Sequence, residues 1–298
     1  MRQILILLGI SLFLIGCSST PSEDNSKEAI YTTIYPLYFL LNELIGEEID
    51  IYSVYPPGVD AHSYEPTTRE VLDIASAKAL FYLGAGMEGF AEKAQSALKN
   101  SDVKFFEIGK HEEIFLKAED DHHHSDYDPH LWFDPLRMIQ MAEILSEELS
   151  LLFPEHDDAL SKNLESLSKD LQALDQLYEK EIAKAKNKYI LVSHGAYEYW
   201  EERYGLIQIP ISGLSSTDEP SQKDLAHLIE LAREHKIEYV FFESHATNKT
   251  AEIIVNTLKA KKAYIHNLEL LVDEDIKEKE DYFSLMEKNL TELMKAIQ

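Results

Sequence analysis

The sequence predicts an α/β protein of two Rossmann-like lobes joined by one long, rigid helix. Three observations lead there. Short runs rich in β-branched and aromatic residues alternate with helical patterns over residues 29–106, and the same alternation starts again at residue 189. Between the two sets, Glu155 to Lys188 contains no glycine or proline. Alternation of this kind marks a mostly parallel sheet layered with helices, and an unbroken helical stretch between two such sets marks a bridge.

Taken in order, residues 1–17 (MRQILILLGISLFLIGC) place one basic residue before an apolar run from Ile4 to Ile15, then small residues around Cys17. The run is shorter than the roughly 20 apolar residues a membrane span needs, and its order is that of a secretory signal. Residues 18–28 (SSTPSEDNSKE) are polar without periodicity and read as a flexible tether. The first lobe, residues 29–153, has strand-like runs at Ile30–Ile34, Ile49–Tyr55, Ala79–Leu83 and Val103–Phe106. Helical patterns at Pro36–Ile45, Arg69–Ala77 and Glu88–Leu98 separate them.

In the bridge, residues 154–188, Leu160, Leu164, Leu167, Leu171 and Leu174 recur at helical spacing, which predicts one helix of about 30 residues and about 45 Å. The same stripe would suit a coiled-coil dimer, but it covers barely two heptads where such pairing sustains about three or more. A stiff spine across both lobes of a monomer is the better reading. The second lobe, residues 189–298, has strand-like runs at Tyr189–Val192, Ile207–Ile211, Tyr239–Phe242 and Ala263–Ile265. Its helical patterns lie at Tyr197–Tyr204, Gln222–His235 and Lys249–Ala260.

A formal charge of −26, from 54 acidic against 28 basic residues, repels phosphate backbones and argues against nucleic acid as a partner. Cys17 is the only cysteine, so the chain forms no internal disulfide. Leu14-Ile15-Gly16-Cys17 resembles the bacterial lipobox, which implies that Cys17 becomes the lipidated first residue of a protein held on the outer face of the cell membrane.

Ligands of α/β sheets settle outside the carboxyl ends of the strands, and four such places carry metal-binding side chains. His62 stands in VDAHSYEPTTRE, His130 in DPHLWFDP, His194 at the end of KYILVSH, and Glu269 after AYIHNL. A lone histidine at a strand end is usually a hydrogen-bond partner of nearby backbone. Three of them, two from one lobe and one from the other, can meet in a crevice between lobes. Pro129 and the bulky Leu131-Trp132-Phe133 hold His130 in place, as a defined site requires. His122, His123 and His124 have only polar and acidic neighbours and suit loose capture of metal ions without fixed geometry. Three imidazoles with one carboxylate match tetrahedral zinc. Manganese, magnesium and calcium prefer more oxygen ligands, whereas copper and nickel would also accept the histidines.

These residues, in this order, resemble the zinc-binding, substrate-binding lipoproteins of bacterial metal ABC transporters. The likeness runs through nearly the whole chain: the lipobox, YPLYFLLNELIG, PPGVDAHSYEPTTRE, the histidine-rich loop, DPHLWFDP, LVSHGAYEYW and GLSSTDEPSQKDLAHLIELAREHKIEYVFFES. It implies a metal site in the cleft between the lobes and delivery of zinc to a cognate ABC permease in the membrane. Motif by motif, His62, His130 and His194 fall on the three histidine ligands, and Glu269 falls on the acidic one. Here the stretch reads His266-Asn267-Leu268-Glu269 without the family's proline, so His266 is a competing donor. Glu243 and His245 after YVFF, and Tyr64 and Glu65 beside His62, either hold ligands in place or are ordinary strand-end and loop residues.

The expected function is extracytoplasmic capture and hand-off of zinc, without catalysis. A three-histidine zinc site with an open position would instead suit a hydrolase or hydratase. The fourth ligand discriminates, because a coordinating Glu269 leaves no activated water. No HExxH string or nucleophile elbow appears. A surface adhesin is a third class, without independent support in the sequence.

Overall fold

A computed structural model describes residues 28–59, 61–117, 126–214, 220–244 and 248–298. The first half holds β1 (Ile30–Thr32), α1 (Tyr35–Ile45), β2 (Ile51–Ser53), α2 (Thr68–Ser76), β3 (Ala79–Tyr82), α3 (Ala91–Ala97) and β4 (Lys104–Glu107). A short antiparallel pair, β5 (Leu116–Lys117) and β6 (Tyr127–Asp128), leads to α4 (Pro135–Leu152) and the bridging α5 (Asp157–Ile182). The second half holds β7 (Tyr189–His194), α6 (Glu198–Tyr204), β8 (Ile207–Ser212), α7 (Gln222–Glu234), β9 (Tyr239–Glu243), α8 (Lys249–Leu258) and β10 (Lys261–Ile265). It ends with α9 (Asp273–Glu278) and α10 (Tyr282–Ile297).

Two parallel four-stranded sheets result, ordered β2-β1-β3-β4 and β10-β9-β7-β8. In each, successive strands are added first to one side and then to the other of a central strand, β1 or β7. That reversal opens a crevice at the strands' carboxyl ends. All eight expected strands are present, with ends moved by no more than two residues. Their interiors are apolar because both faces are covered: β3 is buried at every position.

The bridging helix is shorter than expected. Pro154 starts a separate 3-10 turn, and the 26 residues of α5 span about 39 Å. At its far end the N–H groups of Lys186 and Asn187 turn to the Ile297 carbonyl of α10, which stops the helical ladder. Leu160, Leu167, Leu171 and Leu174 are buried within the chain, so the stripe is spent on neighbouring helices and not on a second copy. Asn163 donates to the Leu44 carbonyl of α1 (2.9 Å), while Tyr178 donates to the Met286 carbonyl of α10 (2.6 Å). Asp175 accepts from Arg203 and Tyr204 of α6. One rod is therefore pinned to both halves.

Three further helices, α4, α9 and α10, stand outside the expected pattern. The two longer ones carry start signals: Asp134 caps the Leu136 N–H ahead of Pro135, and Asp281 forms a capping box with Ser284. The main core runs through both halves, from Ile30 to Ile297, and a smaller cluster around Leu191, Val240 and Phe242 lies under α7 and α8. Among the described residues no helix is long and apolar enough to cross a membrane. Cys17 and the expected signal, His122, His123, His124 and His245 lie outside the described residues.

Candidate metal centre

The crevices of the two sheets bring His62, His130 and His194 together, each offering one nitrogen within 4.8 Å of the other two. His62 sits in the turn between β2 and α2. That turn is fixed because the capping-box residue Glu70 of α2 also accepts from the Tyr64 hydroxyl (2.8 Å), and the Tyr64 ring meets the Tyr55 ring edge-on. Glu65 only pairs with Lys93 at the exposed surface, a contact of little energetic weight.

His130 follows β6. One carboxylate oxygen of Asp128 accepts both its backbone N–H (2.9 Å) and its Nδ1–H (2.7 Å), which leaves Nε2 as the free nitrogen and aims it inward. The edge of Trp132 packs against the ring. His194 closes β7, and its neighbouring strand β9 ends in Glu243, whose Oε1 lies 2.6 Å from His194 Nδ1. Its Nε2 lies 2.8 Å from the Leu214 carbonyl. Carboxylate and carbonyl both only accept, so both nitrogens of His194 donate.

Glu269 completes the group. Its Oε1 stands 3.7 Å from Nε2 of both His62 and His130, too far for hydrogen bonds but well placed for electrostatic attraction. Leu268, with φ of 63°, makes the left-handed turn that carries Glu269 into the cluster, a conformation rare for leucine. His266 faces elsewhere: Nδ1 accepts the Leu268 N–H (3.0 Å) and Nε2 reaches Asp275 (3.1 Å). Glu269, rather than the competing His266, is what the fold brings to the histidines.

The electrostatics of the cluster would suit a cation. His62 Nε2, His130 Nε2 and Glu269 Oε1 are all buried without a hydrogen-bond partner, and each such atom costs about 1–3 kcal/mol. Burial pushes the His130 pKa down, but Asp128 and then Glu269 outweigh it and raise it to about 9. Burial likewise opposes the charged form of His194, and Glu243 outweighs it, so that this pKa is also raised. Burial would raise the Glu269 pKa, yet His130 and His62 hold it well below the usual carboxylate range. At neutral pH the Glu269 carboxylate thus faces a His130 ring whose proton a metal would displace. Tetrahedral zinc wants its ligand atoms about 3.3 Å apart, and the two Glu269–histidine distances of 3.7 Å would need only a small contraction to reach that.

The zinc-uptake complex component A family (ZnuA, periplasmic) matches residues 30–296. The zinc-binding lipoprotein AdcA of Streptococcus pneumoniae is 34% identical over 304 residues, covering 98% of this chain and 60% of AdcA. The chain therefore spans about 60% of the length of the curated relatives it matches first. The crystal structure of the Zn(II)-bound ZnuA-like domain of S. pneumoniae AdcA matches with a TM-score of 0.78 at 32% identity, covering 91% of this chain and 99% of that domain. The laminin-binding protein Lmb of Streptococcus agalactiae, described as a bifunctional protein with adhesin and metal transporting activity, matches with a TM-score of 0.81 at 26% identity, covering 91% of this chain and 100% of Lmb.

Proposed function

The chain belongs to the ZnuA family of zinc-uptake components, and on that premise we propose that it is an extracytoplasmic receptor that captures zinc and passes it to an ABC permease. The observation that carries this is the convergence of three buried, unpartnered polar atoms, on His62, His130 and Glu269, beside His194. Nε2 of each histidine and one oxygen of Glu269 hold the ion, while Asp128 and Glu243 orient the rings through Nδ1. Four protein ligands close the shell, leave no zinc-bound water, and so make the protein a carrier and not an enzyme. His122, His123 and His124 raise the local supply of zinc. Cys17 carries the lipid anchor, residues 18–28 form the tether, and residues 29–153, 154–188 and 189–298 are the lobe, spine and lobe of a monomeric body at the outer face of the cell membrane.

Elemental analysis of protein purified without added metal tests this. The expected result is zinc at one ion per chain, lost when His62, His130, His194 or Glu269 is replaced by alanine in turn. Wild-type protein that takes up no zinc, or four variants that retain it, would overturn the proposal.

A further inference from the structure

We propose that Trp132 is a positioning residue that fixes Glu269 against His62 and His130, so that these three form a preset seat and His194, capped by the Leu214 carbonyl, closes last. The inference rests on the zinc-receptor reading and adds an order of events to it.

Glu269 follows β10 and in sequence belongs to the second half, yet its backbone is stitched to the first. The Trp132 indole N–H donates to the Asn267 carbonyl (2.9 Å), the Tyr35 N–H to the Glu269 carbonyl (2.7 Å), and the Gly58 N–H to the Leu271 carbonyl (3.1 Å). Asn267 Oδ1 in turn accepts the Glu269 N–H (3.2 Å). Trp132 is itself locked, because Tyr282 donates to its carbonyl (2.7 Å) and its ring edge meets His130. One indole thus touches one ligand and holds the segment that carries another.

The three atoms of this seat have no partner to give up. His194 differs, since its metal-facing nitrogen is already bonded to Leu214 at 2.8 Å. Zinc can gain the first three ligands without breaking a protein hydrogen bond, but the fourth requires exchange of a hydrogen bond for a metal bond. The gate is local to the end of β8. Gly213 stays tied by its carbonyl to the Gly195 N–H (3.1 Å), and Tyr199 and Trp200 of α6 bind the Asp128 and Phe133 carbonyls, so no rotation of a whole lobe is needed. Release runs in reverse: Leu214 recaptures His194 and leaves a three-coordinate ion with one side open to an acceptor.

Stopped-flow zinc uptake and chelator-driven release, on the whole body with wild-type, His194→Ala, Glu269→Gln and Trp132→Phe proteins, tests the order. His194→Ala should capture zinc within about twofold of the wild-type rate and release it about 100-fold faster or more, a loss at or beyond the upper end for an outer partner. Glu269→Gln and Trp132→Phe should each slow capture by about tenfold or more. Trp132→Phe keeps the ring and loses the N–H, so a purely structural role predicts a lowered melting temperature with unchanged capture. Unchanged capture in Trp132→Phe, or capture slowed as much in His194→Ala as in Glu269→Gln, overturns the proposal. Wild-type protein that takes up no zinc overturns the receptor reading as well.

Discussion

His130 and His194 are each buried against a carboxylate and differ in what meets the other ring nitrogen. Both are buried, and both have a carboxylate on Nδ1, at 2.7 Å from Asp128 and 2.6 Å from Glu243. They differ at Nε2, which in His130 has no partner and in His194 faces the Leu214 carbonyl. An unpartnered buried nitrogen is a standing cost that a cation removes, whereas a capped one must be uncapped first. Two residues of one type, one after the short β6 and the other closing β7, are therefore unequally disposed toward a cation.

The difference between the two rings should show most on their removal. His130→Ala should weaken zinc binding by more than the 10–100-fold typical of losing an outer partner, and by more than His194→Ala, as measured by competition with a chelator of known affinity. Equal losses would show that the cap has no energetic weight. Asp128→Asn and Glu243→Gln come next, at about 10–100-fold each. A loss confined to one of them would mean that only one ring needs a carboxylate to orient it.

His130 titrates near 9 in the metal-free fold against an ordinary 6.5, so the proton it must shed competes with zinc throughout the neutral range. Zinc affinity should fall as pH drops below about 9, by about tenfold per pH unit for each proton displaced. The stability of the metal-free protein runs the opposite way. A raised folded-state pKa contributes stability that is complete below 6.5 and is lost as pH rises through about 9. The gain in melting temperature on adding zinc should thus grow between pH 6 and pH 9, and a flat gain in scanning calorimetry would refute the assignment. The smallest effect belongs to Glu65→Ala, whose exposed pair with Lys93 is worth about 0–1 kcal/mol. Zinc titration should not distinguish that variant from wild type, whereas Tyr64→Phe, which frees the His62 turn from Glu70, should weaken binding measurably.

Much of this was legible in the sequence because strand ends and side-chain chemistry are written there. The eight strands follow from β-branched runs, and His62 and His194 follow from histidines beyond the carboxyl ends of two of them, whereas His130 stands after β6 of an antiparallel pair that the alternation does not reveal. The Asp-Pro-His spacing also held a readable signal for Asp128, since a carboxylate two residues ahead can reach back to the ring. Other features have no letter of their own. The Leu214 cap is a backbone carbonyl, and Glu269 rather than His266 stands beside the histidines because of a left-handed leucine and of Asp275 drawing His266 away. The bridge read as longer than it is because composition alone does not reveal that Ile297 takes the N–H groups beyond Ala185. The capping signals before α4 and α10 were present, yet neither helix separates two strands of the expected alternation.

The most direct measurement is zinc K-edge X-ray absorption on the loaded protein. Three imidazole nitrogens and one carboxylate oxygen are expected at about 2.0–2.2 Å, with no water in the shell. A spectrum with fewer than three histidines, or with a light ligand that exchanges with solvent, would contradict that coordination.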